Sequence, residues 1–143
     1  IGVCQANTVA EAMSERGRGR YVDKITVLIA DDSPAIRDGL QSILRAYPDI
    51  KVVGEATNGV EAIAKAEQLQ PGVILMDAQM PELDGIAATR QIKERWPNIK
   101  ILLLTVYTEY IEAALAAGAD AYLLKDSGRQ ELLQAVKQLG RRT

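Results

Sequence analysis

The sequence predicts an α/β fold, a doubly wound parallel sheet of five strands in the order 2-1-3-4-5, with five helices on its two faces. Three observations lead there. Short apolar runs recur along the chain with helix-period segments between them. These runs are apolar throughout rather than alternating, as in strands buried on both faces. Residues that carry charge or donate hydrogen bonds stand where four of the runs end: Asp31-Asp32, Asp77, Thr105 and Lys125.

Taken in order, Ile25 to Ala30 is the first strand, ending in Asp31-Asp32. Ser33 offers an N-cap and Pro34 suits the first helical position. Ile36, Leu40, Ile43 and Leu44 then share one helix face, and the helix stops near Pro48. Lys51 to Glu55 is a short second strand at a sheet edge. Asn58 and Glu61 have the spacing of a capping box and open a helix predicted to turn Val60, Ile63, Ala66 and Leu69 inward. Pro71-Gly72 breaks it before the third strand, Val73 to Met76, runs into Asp77. Asp84-Gly85 opens a helix carrying Ile86, Ile92 and Trp96, which Pro97 closes. Ile99 to Leu104 is the fourth strand, ending in Thr105. A helix from about Thr108 to Ala117 follows, stopped by Gly118, and Ala121 to Leu124 is the fifth strand, ending in Lys125. Ser127 and Gln130 suggest a second capping box, with Leu132, Leu133, Val136 and Leu139 facing inward on the last helix.

Length and composition fit one soluble domain. The chain has 143 residues, 48% hydrophobic and 25% charged, enough for a proper core. Its net charge of -2 supplies no global field for nucleic acid or an anionic membrane. The single cysteine, Cys4, cannot form an internal disulfide, which fits a cytoplasmic location. The absence of histidine removes His-based zinc sites and Ser-His-Asp chemistry. No apolar run approaches the roughly 20 residues of a membrane span. Residues 1–23 differ from the rest: the Gly-broken, basic stretch Ser14 to Arg20 reads as an arm, a leader or a vector-derived segment. The domain is expected to span 24–140, with 141–143 opening a linker.

In a parallel sheet the carboxyl ends of the strands share one edge, so three carboxylates, a hydroxyl and an ammonium group converge there. The first and third strands flank the topological switch point, where such sheets bind ligands. Clustered carboxylates repel, and a hard divalent cation relieves them. Magnesium, or manganese, prefers a few carboxylates together with water and phosphate oxygens. Asp31 and Asp32 suit metal anchoring, with Asp77 sharing one oxygen. Lys125 and Thr105 suit the oxygens of a phosphoryl group, and Asp77 suits a phosphoryl-accepting nucleophile.

These residues together resemble the receiver domain of bacterial two-component response regulators. The resemblance runs from about Ile25 to Leu139. It rests on Asp31-Asp32, Asp77-x-x-Met80-Pro81-x-x-Asp84-Gly85, Thr105 and Tyr122-Leu123-Leu124-Lys125. The run Pro48 to Ala56 and the Leu123-Leu124-Lys125-Asp126 ending resemble the NarL/FixJ branch, whose members usually carry a C-terminal LuxR-type helix-turn-helix domain. The resemblance implies a flavodoxin-like (CheY-like) fold in which Asp77 takes a phosphoryl group from a sensor histidine kinase. Asp32 would ligate the metal directly, Asp31 largely through water, and the backbone carbonyl of Gln79 would be the third protein ligand. Thr105 would swing to the phosphoryl group and Tyr122 would repack inward. The fourth helix, fifth strand and fifth helix would form the output face, supporting a homodimer when phosphorylated and DNA binding only through an effector domain that this chain lacks.

Two features depart from familiar receivers. Asp126 stands where many have a proline with a cis bond, so a trans bond is expected. Val106 is bulkier than the usual Ala or Gly; together with Tyr107, and with Ala78 beside the acceptor, it is expected to govern access to the site and prolong the phosphoaspartate. A switching module, not a turnover enzyme, is the leading expectation. A haloacid-dehalogenase-type phosphatase would place an Asp two residues after the nucleophile, where this chain has Gln79. The third possibility is a stand-alone or degenerate receiver that serves only as an interaction platform. No G-x-x-x-x-G-K-[ST] or G-x-G-x-x-G is present for nucleotide binding.

Overall fold

The strands of the computed structural model, which describes residues 24–141, are β1 (Ile25–Ala30), β2 (Ile50–Ala56), β3 (Val73–Asp77), β4 (Lys100–Thr105) and β5 (Ala121–Leu124). All pair in parallel, in the order β2-β1-β3-β4-β5. The helices are α1 (Pro34–Arg45), α2 (Gly59–Leu69), α3 (Gly85–Arg95), α4 (Ile111–Ala116) and α5 (Arg129–Gly140). The expectations for residues 1–23, and for all but the first residue of 141–143, lie outside the described residues.

Strand side chains alternate between two cores. Leu28, Ala30, Ile74, Met76, Ile101 and Leu103 pack on one side with Ala62, Ala66, Ala88, Ile92 and Ala114 from α2, α3 and α4. Val27, Ile29, Val73, Leu75, Leu102 and Leu104 pack on the other with Leu44 of α1 and Leu132, Leu133, Val136 and Leu139 of α5. Both faces are covered, which is why β1, β3 and β4 read as apolar runs, while the edge strand β2 carries Lys51 and Glu55. β1 and β3 are central, and all of β3 is buried. The sheet therefore holds Asp77 at the end of its best-buried strand.

Four local expectations are corrected. On α2 the buried residues are Gly59, Ala62 and Ala66, with Ile63 packed against the core, while Val60 is 57% exposed and Leu69 lies at the surface. Ala66 is buried as expected, and the small residues Gly59 and Ala62 join it in letting this helix lie close to the sheet. The Asn58 cap is present, accepting the Glu61 N–H at 2.8 Å. The return bond goes one residue further up: Glu61 Oε1 accepts from Thr57 N–H and Oγ1, which holds its carboxyl below the usual range. At α5 the N-cap is Gly128, not Ser127, and the reaching side chain is Glu131, which accepts the Gly128 N–H at 3.0 Å. The predicted fourth helix begins as a 3₁₀ turn, Thr108–Tyr110, before α4, and ends at Gly118 with φ 104°. That is a left-handed backbone which glycine adopts without strain.

Candidate functional site

Strand register assembles the site. Ala30 pairs with Met76, so Asp31 emerges level with Asp77. Asp77 pairs with Leu104 and Thr105 with Leu124, which steps Thr105 and then Lys125 along the same edge. After β1 the chain turns at once into α1, because Ser33 Oγ accepts the Ile36 N–H at 3.3 Å and Pro34 follows it. This leaves Asp31 and Asp32 in the short loop above the switch point. Asp31 is 1% exposed and Asp77 6%, whereas Asp32 is exposed.

The Lys125 ammonium bridges the two buried carboxylates. Its Nζ lies 2.9 Å from Asp31 Oδ2 and 3.1 Å from Asp77 Oδ1. Gln79 N–H also donates to Asp77 Oδ1, at 3.2 Å, and Ser33 N–H donates to Asp31 Oδ1 at 2.9 Å. Burial works against the Lys125 charge, but the Asp31 hydrogen bond and the charges of Asp77 and Asp31 outweigh it, so its pKa lies above the ordinary value. Asp77 moves the same way for the opposite reason. Burial pushes its carboxyl up and the Asp31 charge adds to this, while Lys125 and the Gln79 N–H offset only part. One ammonium group thus bridges two carboxylates, Asp31 and Asp77, and Asp32 beside them adds a third negative charge that it does not contact. Oxygens of Asp31, Asp32 and Asp77 all lie within 4.8 Å of one another. An all-carboxylate set with unmet charge suits a hard divalent cation.

The remaining predicted residues are distributed around this cluster. Thr105 is buried on the same edge, but its Oγ1 engages Tyr107, accepting its N–H at 3.0 Å and donating to its carbonyl at 3.3 Å. Val106 and Tyr107 are exposed, and Tyr107 meets Tyr110 edge to face at 5.8 Å. Gln79 Nε2 donates to Tyr110 Oη at 3.0 Å, tying the loop after β3 to the segment after β4. Ala78 is buried, with its N–H donating to Leu104 O. Tyr122 points outward from β5, 41% exposed. Every peptide bond among the described residues is trans, as expected for Lys125-Asp126.

Two residues near the site were not anticipated. Arg37 Nη1 donates to the Asp31 carbonyl at 2.8 Å, and its Nε donates to Glu55 Oε1 at 2.8 Å. The strand-end rule that picked out Asp31, Asp77 and Thr105 applies equally to Glu55, whose register partner is Ile29.

The response regulator receiver domain family matches residues 27–137, and the chain belongs to it. It is 46% identical over 119 residues to the response regulator protein VraR of Staphylococcus aureus, covering 82% of this chain and 57% of VraR. It is 45% identical over 121 residues to the transcriptional regulatory protein YxjL of Bacillus subtilis, covering 83% of this chain and 56% of YxjL. The chain thus spans just over half the length of these curated relatives. Among solved structures, the signal receiver domain of the NarL response regulator from Mycobacterium tuberculosis superposes with a TM-score of 0.80 at 31% identity, covering 85% of this chain and 99% of that one. The response regulator domain of Thermotoga maritima CheB does so with a TM-score of 0.78 at 35% identity, covering 84% and 98%. These relatives place the chain in the LuxR/NarL-type, or NarL/FixJ, branch, a class of signalling modules. Among the described residues, no helix is long and apolar enough to cross a membrane.

Proposed function

We propose that this chain is a phosphorylation-driven switch in which Asp77 accepts a phosphoryl group from a phosphohistidine of a sensor kinase. An Asp77 carboxylate oxygen attacks phosphorus, the P–N bond breaks, and the imidazole nitrogen leaves with the bonding pair. The observation that supports this best is the placing of Asp77: a buried carboxylate at a strand end, 3.1 Å from an ammonium group, with two more carboxylates within 4.8 Å.

Asp31, Asp32, Asp77 and the Gln79 backbone carbonyl would hold magnesium or manganese. Such an ion supplies positive charge against the oxygens of the transferring group and the carboxylates. Lys125 neutralises a phosphoryl oxygen, and Thr105 exchanges Tyr107 for another. Tyr122 then turns inward from its exposed position and changes the surface formed by α4, β5 and α5. Val106 and Tyr107 shield the acceptor from water, and Ala78 keeps the floor beside it small. The module switches and is not a turnover enzyme. In a full-length regulator, dimerisation through the switched surface would control a DNA-binding output domain.

Incubation with phosphoramidate and Mg²⁺, read by intact mass, tests the assignment. One phosphoryl group should be gained, with none in EDTA and none in Asp77→Asn. Labelling that persists in Asp77→Asn, or a chain inert to both phosphoramidate and a kinase, overturns it.

A further inference from the structure

The acidic pair is gripped from a direction that the phosphoacceptor scheme does not use. Every polar atom of Asp31 has a partner. Its N–H donates to Ala56 O at 3.0 Å, its Oδ1 accepts from Ser33 N–H, its Oδ2 accepts from Lys125, and its carbonyl accepts from Arg37. The first three partners come from backbone or from the site itself. Only the fourth is a side chain reaching in from outside the cluster, and it is itself held. Arg37 spans the Asp31 carbonyl and Glu55 with two different nitrogens, and Gln41 Nε2 donates to the other Glu55 oxygen at 2.8 Å. The Arg37 side chain is largely buried. The Glu55 carboxyl is held below its usual range by the Gln41 bond first, against burial, and then by Arg37, so it stays ionised at neutral pH.

We infer that Arg37, braced by Glu55 and Gln41, is a positioning residue for cation binding: it fixes the Asp31–Asp32 loop against β2 so that the pair presents its oxygens beside Asp77. This rests on the cation site proposed above. The planar guanidinium suits the role, because its rigid fork can serve a carbonyl and a carboxylate at fixed angles. Outer partners of this kind, which orient ligands without touching the metal, typically change metal affinity by about 10–100-fold when removed.

Charge and positioning predict opposite signs. Arg37 is a cation next to a cation site, so by Coulomb's law alone its removal should strengthen Mg²⁺ binding. If it positions the loop, removal weakens binding despite the lost repulsion. The experiment is calorimetric titration of Mg²⁺ into the unmutated chain, Arg37→Gln, Arg37→Lys and Glu55→Gln. Thermal melting confirms folding. Amide hydrogen exchange at Asp31 and Ser33 in EDTA provides a readout without metal. About tenfold weaker binding in Arg37→Gln and in Arg37→Lys is expected, with faster exchange at both amides, since lysine keeps the charge but lacks the fork. Tighter or unchanged Mg²⁺ binding in Arg37→Gln overturns the inference, as does full rescue by Arg37→Lys. Should Arg37→Gln fail to fold, Glu55→Gln decides by the same two readouts, and unchanged exchange there overturns the brace. No Mg²⁺ binding by the unmutated chain overturns the cation site and the positioning role together. Normal binding that survives Arg37→Gln overturns only the latter.

Discussion

Thr105 Oγ1 is bonded to Tyr107, accepting its N–H at 3.0 Å, and so the hydroxyl that would serve a phosphoryl group is engaged by its own loop. The turn it closes also places Val106 and Tyr107 at the surface. Replacing Thr105 with Val keeps the shape and leaves a backbone N–H without its partner. The expected cost is about 1 kcal/mol in urea denaturation. The variant should still take beryllofluoride at Asp77, but the NMR shifts of Tyr122 on binding should largely disappear. A full Tyr122 response in Thr105→Val would show that the hydroxyl does not relay occupancy to β5.

Asp77 makes metal-free stability depend on pH in an unusual direction. Its carboxyl is raised in the fold, by burial and by Asp31, above its value in the unfolded chain. The fold therefore binds the proton more tightly than the unfolded chain does. That stabilising contribution is complete below the unfolded pKa of about 3.9 and is lost as pH rises through the folded value. At pH 7 the ionised carboxylate is a burden. Asp77→Asn should raise the metal-free Tm at pH 7 by about 2–4 °C, and the gain should shrink toward pH 4. Saturating Mg²⁺ should narrow the gap, because the ion binds the native acidic site. An Asn variant no more stable than its parent at pH 7 in EDTA would show that the cluster is already adequately compensated.

Away from the site, Lys93 is a structural tie. Its Nζ donates to Pro97 O and Ile99 O, each at 2.9 Å, and to Asp120 Oδ2 at 3.0 Å, which in turn accepts the Ile101 N–H at 2.8 Å. One ammonium group thus fastens the end of α3 to the starts of β4 and β5. Lys93→Met should cost about 2–3 kcal/mol, with an unchanged urea m-value, by leaving a partly buried carboxylate without its cation. Adding Asp120→Asn should recover part of the loss. A cost below about 0.5 kcal/mol, the size of an exposed pair, would mean that water replaces the tie.

The sequence carried the strands and the acidic edge because both depend on coarse signals. A strand buried on both faces is an uninterrupted apolar run, and Asp77, Thr105 and Lys125 each end such a run or follow it. Helix phase was less legible. On α2 the large residue Val60 is exposed and Ala62 is buried, so reading the face from size reversed two positions. The cap of α5 was misplaced by one residue because a glycine cap has no side-chain signature, and Ser127 next to it has one. Arg37 and Glu55 were missed for a further reason. Their link joins residues 18 apart by the packing of α1 against β2, which local periodicity does not encode.

Val106 tests whether the loop after β4 sets the life of the phosphorylated state. Its side chain is exposed beside the engaged Thr105. Trimming it in Val106→Ala opens the approach to Asp77 without removing any hydrogen-bonding group. Phosphoaspartate decay, followed by intact mass after removal of the donor, should quicken by about tenfold, corresponding to 1.4 kcal/mol in the barrier. The metal-free Tm should hardly move, since the residue buries little. An unchanged lifetime would remove Val106 from any role in shielding.

Gly85 joins fold and site at one point. It opens α3 after the Asp84 cap, and its N–H donates to Ala78 O at 2.9 Å, so the loop after β3 closes back on the strand end. A Cβ on Gly85 would lie 1.8 Å from the Asp77 carbonyl oxygen and 2.8 Å from its carbon. Both are backbone atoms of the central strand, so no side-chain rotation relieves the overlap. Either α3 must move away from the sheet or the Asp77 peptide must shift. Gly85→Ala should therefore cost more than about 3 kcal/mol in urea denaturation. It should also weaken Mg²⁺ binding in whatever fraction remains folded, because the same peptide carries the Asp77 carboxylate. The control is Gly39→Ala on α1, where an added Cβ meets nothing within 4 Å. There the alanine should stabilise the helix by about 0.5–1 kcal/mol and leave metal affinity unchanged. Equal stabilities for the two alanine variants would show that α3 does not approach Asp77 as closely as this geometry requires.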